Sequence, residues 1–296
     1  MSGPHSQCCE NPPTLGSSTG IGHVEELGGL KCYISGSAGS KLAVILVSDV
    51  FGYEAPNLRK LADKVAAAGF YTVVPDFLNG DPYEPENVDR PFQIWIKDHG
   101  PDQGFEDAKP VIEALKSKGI EKIGAAGFCW GAKYAYIQDA VILQPSFVSL
   151  EDIQGKAYGL RFQFSILGAE TDHRSPPELL KEFDATLNAK PEIDAFVKVF
   201  PGVSHGWSVR YKDDDEAAVK RAEEAHKDML DWFIQSPPEL LKEFDATLNA
   251  KPEIDAFVKV FPGVSHGWSV RYKDDDEAAV KRAEEAHKDM LDWFIQ

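Results

Sequence analysis

An α/β fold with a mostly parallel central sheet flanked by helices is predicted by two observations. Apolar runs of strand length alternate with stretches of helical period along the chain. The 296 residues, or 235 without a terminal copy described below, also suit one domain of ordinary size. Val24 to Ile34, broken by Gly28-Gly29, reads as an N-terminal hairpin. Leu42 to Val47 reads as a central strand. Ala55 to Ala68 reads as a helix with Leu58, Leu61 and Val65 inward and Gly69 at its C-terminal end. Tyr71 to Val74 is the next strand, and Ile123 to Ala126 has the character of a buried one.

That last run ends in Gly127-Phe128-Cys129-Trp130-Gly131, a Gly-x-nucleophile-x-Gly pattern followed by residues that read as helical. The pattern makes a sharp strand-to-helix turn, and the two glycines remove Cβ atoms that would collide across it. A sulfur at a helix N-terminus is favoured as thiolate by the dipole and the free amides. Only about ten residues, Trp130 to Asp139, separate the elbow from the next strand-like run, Ala140 to Gln144. The intervening helix is therefore predicted to have two turns at most, short enough to threaten activity.

Phe162 to Leu167 predicts a further strand, with Asp172 just past its end in Gly168-Ala169-Glu170-Thr171-Asp172. Ala195 to Phe200 predicts another, with His205 in the following Pro201-Gly202-Val203-Ser204-His205-Gly206. Nucleophile, acid and histidine thus follow successive strands in the chain order of an α/β-hydrolase triad. In that arrangement Asp172 fixes the tautomer of His205, and His205 exchanges a proton with Cys129.

From about Gly22 to Gln235 the chain resembles the dienelactone hydrolase (carboxymethylenebutenolidase-like) family of the α/β-hydrolase superfamily, especially its plant-type members. The resemblance rests on Ser48-Asp49-Val50-Phe51-Gly52, Val74-Pro75-Asp76, the Cys129 elbow, the Asp172 segment and His205-Gly206-Trp207. It implies a Cys129–Asp172–His205 triad that hydrolyses small esters or lactones through a thioester, without cofactor or metal. The backbone N–H groups of Trp130 and Val50 would form the oxyanion hole. Bacterial members carry Glu where Asp49 stands, and there it exchanges a proton with the thiol. Asp49, one methylene shorter, is the corresponding relay here. Arg210 is the candidate for binding a substrate carboxylate, with Arg90 as a second arginine considered. Two other readings stand beside this one. One is a glycan (β-glucan) hydrolase, a label some plant relatives carry; the other is a non-catalytic binding protein on a hydrolase scaffold.

Residues 175–235 recur without a change as 236–296. Each copy reads as helix, strand and long amphipathic helix, the last with Val219, Ala222, His226, Met229 or Leu230, and Phe233 on one face. The second copy brings His266 and Arg271 but no second nucleophile or acid. Docking it in place of the first would loop out the first copy entirely, at a cost of roughly 2–3 kcal/mol by loop-closure scaling. The expected organisation is a mobile tail over 1–22, a hydrolase domain over 23–235 and an appendage over 236–296. The spare apolar strand, Ala256 to Phe261, leads us to expect weak self-association.

The formal charge is −17, of which the second copy supplies −5. Lys and Arg are dispersed with no basic stripe, which argues against nucleic acid and anionic membranes as partners. No apolar run approaches membrane-spanning length, and the N-terminus lacks the plan of a secretory signal. Asp213-Asp214-Asp215-Glu216 reads as a charged helix opening. Four cysteines fit a reducing compartment, and the eight histidines form no closely spaced ligand set. A cytoplasmic, metal-free protein acting on a small molecule is the expectation.

Overall fold

A computed structural model describes residues 11–13, 19–135, 139–155, 162–190, 193–235 and 277–295. The first compact unit, Met1–Leu230, carries an eight-stranded sheet in the order β1-β2-β4-β3-β5-β6-β7-β8. The hairpin β1 (His23–Leu27) and β2 (Leu30–Ser35) turns at Gly28 and Gly29, both at positive φ (63° and 84°). That backbone is what a two-residue hairpin loop requires. β2 pairs antiparallel with β4 (Tyr71–Pro75), and every later pairing is parallel.

The predicted strand over 42–47 is β3 (Leu42–Val47), buried except at its first residue. α1 (Pro56–Ala67) opens on a proline whose missing N–H costs nothing at that position. It buries Leu58, Leu61, Ala62 and Val65, and Gly69 closes it at φ 102°. After β4 come α2 (Phe92–Asp98) and α3 (Gly104–Ser117), then β5 (Lys122–Phe128). β6 (Asp139–Leu143), α4 (Leu150–Gly155), β7 (Phe162–Thr171), α5 (Pro177–Asn188), β8 (Ile193–Ser204) and α6 (Glu216–Gln235) follow. β7 and β8 run four residues past the apolar segments that predicted them.

α6 buries Ala222, Ala225, His226 and Met229, while Val219 and Leu230 are half-buried, so Met229 is the inward member of that pair. The Asp215 carboxylate accepts the Ala218 N–H at 3.0 Å, so the acidic run opens this helix as expected. In the second unit, Asp231–Gln296, α7 (Glu277–Ile295) repeats the α6 sequence. Ala256 to Phe261, His266 and Arg271 lie outside the described residues, as do Cys8 and Cys9.

The short helix expected after the elbow is of the tighter kind. The elbow is followed by a five-residue 3₁₀ segment, Cys129–Lys133, and residues 129–135 contain no α-helix. Tyr134 N–H bonds Gly131 O at 3.0 Å and Ala135 N–H bonds Ala132 O at 3.4 Å, both three residues back. The tighter coil suits a chain that must enter β6 at Asp139.

Candidate active site

Cys129 follows β5 at φ 53°, a left-handed conformation rare for a residue with a side chain. The glycines explain how the chain reaches it. A Cβ on Gly127 would stand 2.3 Å from the Gly131 carbonyl oxygen. One on Gly131 would stand 2.4 Å from the Ser48 oxygen and 2.5 Å from that of Val47. The end of β3 and the loop bearing Asp49 and Val50 therefore press against the elbow. Val50 and Trp130 are both buried, and the Trp130 indole donates to the His99 carbonyl at 2.7 Å. The Cys129 side chain is fully buried, its Sγ 3.4 Å from Ser146 Oγ.

The acid and the histidine meet because of an irregularity in strand pairing. Ala169 lies opposite Phe200, but two residues later Thr171 lies opposite Ser204. β8 thus carries two extra residues there, around Pro201 and Gly202, the latter at φ 70°. Such a bulge is where Pro and Gly are tolerated inside a strand. The shift sets Asp172 level with His205 instead of Val203 as both strands end. Asp172 Oδ2 and His205 Nδ1 are 2.8 Å apart, with both side chains fully buried. The other carboxylate oxygen accepts the N–H groups of Arg174 and Ser175 at 2.8 and 3.2 Å, and Ser175 Oγ donates to Oδ2 at 3.1 Å. Burial alone pushes the Asp172 carboxyl up. The His205 hydrogen bond and charge, with the two backbone donors, outweigh burial and hold it below the ordinary carboxylate range.

Two more of the predicted site residues meet each other. Arg210 Nε lies 3.1 Å from Asp49 Oδ2 in a buried ion pair, and Asp49 Oδ1 accepts the Phe51 N–H at 3.0 Å. The guanidinium packs beneath Gly206 (φ 89°), where a Cβ would stand 2.3 Å from Arg210 Nε. The pair thus abuts the residue after His205. Arg90 sits elsewhere, held on the surface by Asp81 and Asp98. A groove of about 1030 Å³ is lined by His205, Trp207, Arg210, Tyr211 and Lys60, among others. Among the described residues no group of three or more His, Cys, Asp or Glu is placed to hold a metal ion. Cys32 is buried in the hairpin, and burial raises its thiol to about 12, far from reactivity.

Several participants were missed from sequence. The bulge announced itself only as Pro201-Gly202 inside an apolar run. Ser146 and Gln144 lie in a Gln-Pro-Ser-Phe turn with no motif. Ser208 Oγ donates to Gln144 Oε1 at 2.9 Å, and the Ser208 carbonyl accepts from buried His226 at 2.7 Å.

The family model for the dienelactone hydrolase family matches residues 30–236. The chain belongs to the dienelactone hydrolase family. A maize protein named endo-1,3;1,4-beta-D-glucanase is 37% identical over 203 residues, covering 64% of this chain and 64% of its own length. The chain thus spans less than two thirds of that relative. A carboxymethylenebutenolidase homolog of Xenopus tropicalis is 33% identical over 216 residues, 69% of this chain and 86% of its own. A solved structure described as a putative dienelactone hydrolase of Klebsiella pneumoniae superposes with a TM-score of 0.56 at 21% identity. It covers 69% of this chain and 92% of that one, a likeness of fold. The family is one of hydrolases, and among the described residues no helix is long and apolar enough to cross a membrane.

Proposed function

We propose that this dienelactone hydrolase family member hydrolyses small esters or lactones with Cys129 as nucleophile, His205 as acid–base and Asp172 as its orienting partner. The observation that carries the reading is a strained, left-handed cysteine after β5 on the same sheet edge as a buried His205–Asp172 pair. His205 takes the Cys129 proton as the sulfur attacks the carbonyl carbon, and the carbonyl π pair becomes an oxyanion facing the N–H groups of Trp130 and Val50. Collapse of this adduct forms the thioester and expels the alcohol, which takes its proton from His205. Water, deprotonated by His205, then adds to the thioester, and the C–S bond breaks to release the acid and restore the thiol. A substrate carboxylate bound by Arg210 would free Asp49 to exchange a proton with the thiol. The short 3₁₀ segment that stands behind the elbow is expected to lower turnover.

The test is hydrolysis of short-chain p-nitrophenyl esters. Cys129→Ala is expected to lose at least about 10³-fold in kcat/KM. Equal slow rates in both proteins overturn the enzyme reading and favour a binding protein on this scaffold.

The name of the maize relative favours a second reading, β-glucan hydrolysis, which generally needs two carboxyl groups across the scissile bond. Asp49 and Asp172 are both committed, to Arg210 and to His205, which ranks this reading lower. Reducing ends released from mixed-linkage glucan would reverse the order. The same proposal takes 1–22 as a tail, 23–235 as the catalytic domain and 236–296 as an appendage that promotes weak self-association, in a reducing, cytoplasmic setting. Light scattering that stays monomeric at high concentration would count against the association.

A further inference from the structure

The loop after β6, Gln144 to Phe147, touches each of the three segments that carry the proposed triad. Gln144 N–H donates to the Leu167 carbonyl of β7 at 2.8 Å, and Ser146 N–H donates to the Cys129 carbonyl at 3.0 Å. Gln144 Oε1 accepts from Ser208, three residues after His205, at 2.9 Å. The Phe147 ring lies under the Arg174 guanidinium, 4.8 Å from its centroid, two residues after Asp172. Gln144 and Phe147 hold φ of 38° and 63°, conformations that side chains resist and that persist only where surroundings impose them. Between them, fully buried Ser146 places its hydroxyl 3.4 Å from the Cys129 sulfur. This hydroxyl is a polar side-chain group in contact with the reacting atom.

We propose that Ser146 is a further catalytic residue: its hydroxyl accepts from the Cys129 thiol at rest and turns to donate to the thiolate that attacks the substrate. Either atom can be the donor at this separation, so one hydroxyl rotation serves both protonation states. The thiol proton itself goes to His205, and Ser146 is unchanged over the cycle. Gln144 acts as a positioning residue that keeps the loop registered against the histidine segment. The inference rests on Cys129 being the nucleophile.

The test is the pH dependence of iodoacetamide labelling in the full chain, read by mass spectrometry on the Cys129 peptide. In the wild type this peptide is expected to label with a midpoint below that of an ordinary thiol. In Ser146→Ala the thiolate loses a charge-assisted donor, and the midpoint is expected to rise by about one pH unit or more, about tenfold slower labelling below it. Ser146→Thr, which keeps the hydroxyl, is expected to restore the profile. Ser165→Ala, at an equally buried serine of β7, is expected to leave it unchanged. An ordinary wild-type midpoint overturns the nucleophile reading and the proposal together. A low wild-type midpoint that Ser146→Ala does not move, or that Ser165→Ala moves equally, overturns the Ser146 role alone. If Ser146→Ala fails to fold, the Raman S–H band that Cys129→Ala removes from the wild type decides. A hydrogen-bonded frequency supports the proposal and a free-thiol frequency overturns it.

Discussion

The two ends of the candidate site are built by different physics. At the β5 end the requirement falls on one pentapeptide, because the main-chain oxygens of Gly131 and Ser48, at 2.3 and 2.4 Å from where Cβ atoms would stand, leave room only for Gly127 and Gly131. At the β7–β8 end no short segment holds the geometry. Asp172 and His205 meet through two strands in parallel register and a bulge that advances one strand by two residues. The first construction is steric, a close approach of the elbow to itself and to the end of β3, so it is robust once formed and intolerant of added atoms. The second is a sum of pairings, so it can be shifted by changes far from either side chain.

The largest expected effect separates the chemistry of the second end from its geometry. Asp172→Asn keeps the shape but not the charge, and kcat is expected to fall about 10³–10⁴-fold in ester hydrolysis. Because the Asp172 carboxyl is held below its unfolded value, its charge contributes stability above about pH 4, lost as pH falls through the folded value. The stability gap between wild type and Asp172→Asn, followed by urea unfolding, should therefore narrow in acid. Next in size, Gly131→Ala tests the β5 end and is expected to cost roughly 3–5 kcal/mol, with loss of activity, because its Cβ meets main-chain oxygens that cannot yield.

His226 probes the support beneath the histidine segment. Burial lowers it to about 4, partly countered by its bond to the Ser208 carbonyl. A group depressed in the folded state binds protons more readily unfolded. Wild-type stability should thus drop by on the order of 3 kcal/mol between about pH 6.5 and pH 4, and His226→Gln should flatten that slope in urea titrations. The smallest effect belongs to the bulge. At Gly202 a Cβ meets nothing within 4 Å, so Gly202→Ala carries backbone strain alone, about 1 kcal/mol in thermal unfolding. A loss several times larger would mean that the bulge is more tightly determined than its surroundings indicate.

The same contrast explains what could be read from the sequence. β3, α1, the hairpin and the Cys129 elbow were legible because each carries its signal in its own residues: apolar spacing, a glycine at the helix end, paired glycines. Asp172 and His205 were legible as candidates because each follows an apolar run, but the bulge that joins them is a property of pairing. The Asp49–Arg210 ion pair and the contacts of Gln144 and Ser146 are equally non-local, and nothing in Gln-Pro-Ser-Phe distinguishes a brace from an ordinary turn. The short helix expected after the elbow forms, but as a 3₁₀ segment. Gly131-Ala132-Lys133 favours coiling in general, and the short reach to Asp139 selected the tighter form.

The two additional residues of β8 also constrain how this protein can change. A strand presents alternate side chains to opposite faces, so inserting or losing one position between Phe200 and His205 would carry the imidazole to the far side of the sheet. Only paired insertions or deletions preserve the facing, and lineages descended from this chain should show even-numbered length differences at that corner.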